Sequence, residues 1–259
     1  MPEHNDVIRQ SFTAQAAAFA ANPWVTDEQR IGRLVAAARL TGDERVLDIA
    51  TGPGYIAEAF AKAAREAVGV DLTDAMLAIA RKRTNERGIC NITFRAADAQ
   101  NLPFENGSFD VVVCRLALHH LQKPSQVLRE MTRVCRDGGT VLVEDIYASE
   151  FPERAAFQDR WEILRDPSHV RTMPISELLK LYRDAGLEAD AITTADDLTP
   201  QVERWMATTG VTAERAGEIR RLLEEDREQD LSGTRPFQDA TGQLCFHART
   251  VIMAGHKVS

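Results

Sequence analysis

From about residue 45 to residue 145 the chain alternates short β-branched, apolar runs with longer stretches of helical periodicity, and few folds satisfy that rhythm. Strands separated by helices lie side by side in parallel, because each helix carries the chain back across the sheet. Arg45-Val-Leu-Asp-Ile49 reads as the first strand and Tyr55 to Arg65 as its helix. Glu66-Ala-Val-Gly-Val70 is a second strand. It leads into an amphipathic helix over Asp74 to Arg87, with Met76, Leu77, Ile79 and Ala80 apolar and Thr73 or Asp74 as cap. Asn91 to Ala96 is a third strand, and Phe109 to Cys114, with three consecutive valines, is a strand buried on both faces. Gly139 to Asp145 is a fifth, behind a helix from Ser125 to Val134 that Gly138 and Gly139 are expected to stop.

After Asp145 the rhythm breaks. Residues 147 to 174, with Tyr147, Phe151, Phe157 and Trp161, read as a helical insertion. A helix over Ser176 to Ala185, ended by Gly186, leads to a sixth strand near Leu187 to Thr193. Two helical patterns between Thr199 and Asp230 precede a last strand, Leu244 to Ala254, whose apolar run Thr250-Val-Ile-Met-Ala254 suits antiparallel pairing inside the sheet. At this length the expectation is one domain over 1–259: a helical lid (1–40), a core (41–146), substrate-side helices with the sixth strand (147–240) and the last strand (241–259).

Charge narrows the partners. Lys and Arg total 31 against 39 Asp and Glu, and the net charge of -8 repels a phosphate backbone unless basic residues cluster. The densest basic run, Arg81-Lys82-Arg83, reads as a solvated helix face, so nucleic acid is not expected as a partner. Cys90, Cys114, Cys135 and Cys245 fall in no metal-ligand spacing and read as reduced thiols, with no metal expected. The first ten residues are polar, and no apolar run approaches the ~20 residues of a membrane span, so a cytoplasmic monomer or homodimer without a span is expected.

The first strand runs into Asp48-Ile-Ala-Thr-Gly-Pro-Gly54. Glycines there let the backbone come close to a ligand just where a helix begins. Pro53 removes an N–H that would cradle a pyrophosphate, so a ligand with a ribose and no phosphate fits better than a dinucleotide. Asp71 closes the second strand, where a carboxylate accepts from ribose hydroxyls, and Asp98 follows the third, where its oxygen can accept from an adenine amino group. Strand ends on one edge converge, so these acids face one crevice although distant in sequence.

Four ordered segments carry a resemblance. Val46-Leu-Asp-Ile-Ala-Thr-Gly-Pro-Gly54, Gly69-Val-Asp71, Asp98-Ala-Gln-Asn-Leu-Pro-Phe104 with Ser108-Phe-Asp110, and Arg136-Asp-Gly-Gly-Thr-Val-Leu-Val143 resemble the motifs of class I S-adenosylmethionine (SAM) dependent methyltransferases. They are similar in particular to the group that includes the ubiquinone and menaquinone C-methyltransferases. The resemblance spans about residues 40 to 145 and implies a Rossmann-like, seven-stranded, mostly parallel α/β sheet with a reversed last strand, helices on both faces and a helical lid. It implies that Gly52 and Gly54 flank the methionine part of SAM, with Asp48 engaging its ammonium and Ala50 in the same turn. It further implies Asp71 and Leu72 at the ribose, Met76 lining the adenine, Asp98 and Ala99 at the adenine edge, and a backbone contact from Arg115 to the amino-acid end. The segment Ser11-Phe12 to Phe19 resembles the helix that closes over the cofactor; Phe19 stands where that family often has a tyrosine, which removes a hydroxyl contact.

The function implied is methyl transfer to a carbon, oxygen or nitrogen of a small-molecule acceptor, leaving S-adenosylhomocysteine (SAH). A general base is needed where the nucleophile carries a proton of high pKa. His120, after the fourth strand, or His169, in the insertion, can serve, although His119-His120 also reads as loop histidines packing the crevice wall. The competing readings are an NAD-type oxidoreductase, which Pro53 and the Asp98 segment disfavour, and a nucleic-acid methyltransferase. Cys114-Arg-Leu-Ala-Leu-His-His120 stands where exocyclic-amine enzymes of the latter kind carry Asn/Asp-Pro-Pro-aromatic. A SAM-binding protein that catalyses another reaction, or none, is a further reading.

Overall fold

The computed structural model describes residues 4–258, the side chain of Asp197 excepted. Three helices come first: α1 (His4–Ala20), α2 (Pro23–Thr26) and α3 (Glu28–Ala37). Then strands and helices alternate as β1 (Arg45–Ile49), α4 (Tyr55–Ala61), β2 (Glu66–Asp71), α5 (Asp74–Glu86), β3 (Ile92–Ala96), β4 (Phe109–Arg115), α6 (Pro124–Val134) and β5 (Cys135–Ile146). A short 3-10 turn, Leu118–His120, follows β4. The C-terminal part comprises α7 (Pro152–Arg165), α8 (Ile175–Asp184), β6 (Leu187–Leu198), α9 (Val202–Ala207), α10 (Ala213–Gln229), a ribbon of β7 (Phe237–Gln238) with β8 (Leu244–Cys245), and β9 (Ala248–Lys257).

Seven strands form one sheet in the order β3-β2-β1-β4-β5-β9-β6. Neighbours among β1 to β5 pair in parallel, and β9 runs antiparallel between β5 and β6. The period of two along each strand sorts side chains onto two faces. Leu47, Ile49, Val68, Val70 and Val112 pack one face with Val127, Leu128 and Met131 of α6 and Leu178 and Tyr182 of α8. Val46, Val111, Val113 and Leu142 pack the other with Ile31 and Leu34 of α3 and Ile56 and Phe60 of α4. Burial on both faces explains why the valines of β4 run consecutively instead of alternating with polar residues. A third cluster stands apart from the sheet: Phe157 and Trp161 of α7, Val202, Trp205 and Met206 of α9, Ile219, Leu222 and Leu223 of α10, and Phe246.

Several boundaries differ from the sequence reading, among them the end of the sixth strand, which runs on to Leu198, and of α4, which stops at Ala61. The glycines do not stop α6: it ends at Val134, Cys135 enters β5 directly, and Gly138 and Gly139 lie inside the strand. The register slips there, between Phe109 and Val111, and a Cβ on Gly139 would come within 2.7 Å of Asp110 O. Those glycines therefore serve close strand contact. The last sheet strand begins at Ala248, because Leu244 and Cys245 pair with β7 instead. In the insertion only Pro152–Arg165 is helical, and the chain to Pro174 is irregular. No helix among the described residues is long and apolar enough to cross a membrane.

Candidate active site

After β1 the chain moves outward through β2 to β3, then returns to place β4 on the other side of β1. The loops beyond β1 and β4 therefore leave in opposite directions and open a cleft, the place where open α/β sheets bind ligands. This cleft holds about 940 Å³ of empty space, its open mouth included. Asp48, Ala50, Gly52, Asp71, Leu72, Met76, Asp98, Ala99, Arg115 and Phe19, collected from across the sequence, all line it. Ala50 (φ 54°) and Leu116 (φ 50°), just past β1 and β4, are non-glycine residues in the left-handed region. Each costs about 1–3 kcal/mol, and such strain is concentrated at functional sites.

The acids are held by backbone groups. Asp48 is buried, and its Oδ2 accepts from Thr51 Oγ1 (2.5 Å) and from the Ala57 N–H at 3.0 Å. Burial raises its pKa to about 7 against those two hydrogen bonds, and the Asp71 charge adds to the rise. Asp71 Oδ2 accepts the Gly52 N–H and its Oδ1 the Thr73 N–H, both at 2.8 Å; burial pushes its pKa up as well. Asp98 accepts the Gln100 N–H (2.8 Å) on Oδ1 and Asn5 Nδ2 (2.9 Å) on Oδ2. The two glycines part company. A Cβ on Gly52 would meet only Phe19 at 3.7 Å, whereas one on Gly54 (φ 82°) would meet Ala80 Cβ at 2.8 Å and the Phe94 ring at 3.0 Å. Gly54 is thus a packing glycine turned away from the cleft. The Arg115 guanidinium is also spent on structure, donating from Nε to Glu144 Oε2 (2.8 Å) and from Nη2 to Trp24 O (3.0 Å).

Phe12, Phe19, Val25, Leu116 and His120 separate this cleft from a second cavity of about 750 Å³, its open mouth included. Phe12 and Phe19, two turns apart on α1, meet edge to face at 5.6 Å, as their spacing predicts. Helix α1 is tied down on both sides: Asn5 to Asp98, His4 Nε2 to His120 O (2.7 Å), Ser11 to Asp166 (3.1 Å), and Ala20 O to the Tyr55 hydroxyl (2.8 Å). The second cavity is walled by Trp24, Ile146, Trp205 and Phe246, with His119, His120, Gln158, Glu162, Arg165 and Arg249 among its polar groups.

The histidines differ in what holds them. His119 Nδ1 donates to Asp145 Oδ1 at 2.5 Å. Burial pulls its pKa down, but the Asp145 charge and hydrogen bond outweigh that, so the net shift is upward. His120 goes well below the ordinary value, through burial first and the neighbouring His119 second. The Ser168 hydroxyl donates to Asp166 (2.6 Å), so it accepts from His120 Nδ1 (3.0 Å) and leaves Nε2 as the ring's acceptor. His169 lines neither cavity: its Nε2 is held by Asp159 at 2.9 Å, and its ring lies tilted against His119 with centroids 5.5 Å apart. The His119–Asp145 pair was not singled out from sequence. A signal existed, since Asp145 lies near the end of β5 beside the end of β4, but only the register of the two strands brings it to the histidine.

A family model described as a methyltransferase domain matches residues 47–143. YcgJ of Bacillus subtilis, an uncharacterized methyltransferase, is 35% identical over 189 residues, covering 73% of this chain and 74% of that protein. A ubiquinone/menaquinone biosynthesis C-methyltransferase, UbiE of Idiomarina loihiensis, is 39% identical over 103 residues, which are 38% of this chain and only 41% of that enzyme. The crystal structure of YcgJ superposes with a TM-score of 0.80 at 30% identity, covering 89% of this chain and 99% of that one. A putative methyltransferase from Bacillus halodurans C-125 gives 0.83 at 29% identity, covering 89% and 100%.

Proposed function

The chain belongs to the methyltransferase family, and from that premise we propose that it transfers the methyl group of SAM to a carbon, oxygen or nitrogen of a small-molecule acceptor held in the second cavity. The observation that carries this reading is the pair of adjoining cavities sharing one wall, the first lined by acids at three successive strand ends.

The residues fit the donor. Each Asp71 oxygen accepts one backbone N–H and keeps a lone pair for a ribose hydroxyl. Thr73 Oγ1, also in the lining, is buried beside the Asp71 carboxylate. Met76 and Leu72 offer apolar surface to adenine, Asp98 and Ala99 its polar edge, and Asp48 a carboxylate for the ammonium. When bound, SAM supplies a methyl group already activated by its sulfonium. What remains for the protein is to align the acceptor, exclude water and remove a proton where the nucleophile carries one. Phe12, Phe19 and Val25 cover the junction between the cavities. His119 is the proposed base: Asp145 fixes Nδ1–H, so Nε2 receives the proton. His120, kept neutral by burial, orders the junction through Ser168 and Asp166.

Titration calorimetry with SAM and SAH, followed by mass-spectrometric detection of SAH formed with a panel of phenols, amines and activated methylene compounds, tests the reading. Saturable binding of both nucleosides is the expected result. A folded chain that binds neither would overturn it.

A further inference from the structure

The second cavity contains a cation with no carboxylate in contact with it among the described residues. Arg249, in the first turnings of β9, lines that cavity, and its Nε and Nη2 are buried without a hydrogen-bond partner. Among the described residues it makes no ion pair; its guanidinium lies 5.1 Å from the centre of the Tyr147 ring. The other charged groups of the cavity are engaged. Arg165 donates to Trp205 O and Thr208 Oγ1 and lies 3.9 Å from Glu162. Asp166 accepts from Ser11, Gln15 and Ser168.

The surroundings sharpen the imbalance. Gly233 (φ 77°) brings its loop against two guanidinium groups, so that a Cβ there would lie 3.4 Å from Arg154 Nη1 and 3.5 Å from Arg249 Nη1. Asp230 pairs directly with Arg154 at 3.2 Å and reaches Arg249 only through space, where Arg154 and Arg235 oppose it. Burial draws the pKa of Arg249 down, the direction expected where a charge has left water without a partner. Leaving buried donors of a charged group unsatisfied is costly, and an oxyanion that presents two oxygens satisfies a guanidinium edge with two parallel bonds.

We propose that Arg249 is the anion subsite of the acceptor cavity, so that the methyl acceptor is an amphipathic small molecule whose oxyanion, a carboxylate or a phosphate, docks on Nε and Nη2 while its apolar body lies against Trp205 and Phe246. This rests on the methyltransferase reading for the word acceptor, but the subsite is testable without turnover. The probes are benzoate, phenyl phosphate and the neutral benzyl alcohol, titrated by calorimetry into the full chain with and without SAH. Binding of either anion in preference to the alcohol is expected, and the preferred one identifies carboxylate or phosphate as the group recognised. Arg249→Met should weaken the preferred anion roughly tenfold or more, as loss of a charge-assisted pair does, while SAH affinity and benzyl alcohol binding stay as in the wild type. Arg249→Lys, which keeps charge without the fork, should recover only part of the loss.

A second measurement needs no variant. Butanedione modification of Arg249, read by peptide mass, should be slowed by the preferred anion and not by benzyl alcohol. Equal affinity for anion and alcohol, or anion binding unchanged in a folded Arg249→Met chain, overturns the subsite. Absence of SAH binding to the wild type instead overturns the methyltransferase reading and leaves the anion result standing.

Discussion

The two cavities are built in different ways. Around the first, polar side chains are already held by the backbone: Asp71 by Gly52 and Thr73, Asp48 by Ala57, Asp98 by Gln100. Around the second, large side chains from α7, α9 and the segment before β9 form the wall, and several polar atoms have no partner, including Gln158 Oε1 as well as Arg249 Nε and Nη2. A site whose groups are pinned by short turns is preorganised for one ligand shape. A site of long side chains on separate helices can be repacked without disturbing the sheet, as expected where relatives share a donor and differ in acceptor.

If this contrast holds, a change in one cavity should leave the other intact. The largest effect is expected at His119. His119→Asn should lower kcat by roughly 10²–10⁴ for an acceptor that must lose a proton, with SAM affinity unchanged by calorimetry. Asp145→Asn tests the pair through the pH profile. His119 acts as a base only when neutral, so activity rises as pH passes its pKa. Asp145 holds that pKa up, and the variant's acid limb should move to lower pH as kcat falls. An unmoved limb would remove the dyad from the mechanism.

Next comes Gly54. A methyl group there needs a left-handed conformation and must displace Ala80 and Phe94. Gly54→Ala should therefore cost about 2–5 kcal/mol of stability in urea unfolding, from backbone strain and overpacking together. Gly52→Ala, with only Phe19 at 3.7 Å, should cost about 1–2 kcal/mol from the backbone alone. Equal losses at the two positions would contradict their different packing.

Asp71→Ala should weaken SAM binding roughly 10- to 150-fold, the value of about 1.5–3 kcal/mol for a charge-assisted hydrogen bond. It should leave benzoate and phenyl phosphate binding in the second cavity untouched. A separate effect is in the pH dependence of Asp48. Its folded pKa, about 7, lies above the ordinary 3.8, so its contribution to stability is fully present below about pH 4 and is lost as pH rises through 7. The unliganded chain should show that slope in Tm, and Asp48→Asn should flatten it. SAM affinity should climb over the same interval, because an ammonium prefers the ionised carboxylate.

The sheet was legible because its information is local. Period-two burial, turn glycines and acids at strand ends occupy short windows, and β1 to β5 together with α4 to α6 were located from them to within a few residues. The acids of the first cleft were legible for the same reason: each closes a strand, and parallel strands present those ends along one edge. What a residue does once it is there was less legible. Gly54 reads like Gly52 in the motif, and only the approach of Ala80 and Phe94, contributed by α5 and β3, separates packing from lining. His120 and His169 drew notice as titratable residues, yet Asp145 and Asp159 set which histidine faces the cavity and which is tied behind it.

The sequence by itself therefore determined the layered α/β architecture, the reversed last strand, the turn after the first strand and the family resemblance. Each depends on residue type at fixed short spacing. The tertiary structure alone decided that Leu244 and Cys245 leave the sheet, that His119 partners Asp145, and that Arg249 enters a cavity with Trp205 and Phe246. The last two outcomes join residues tens of positions apart, and all three rest on contacts that no local pattern of residue types encodes.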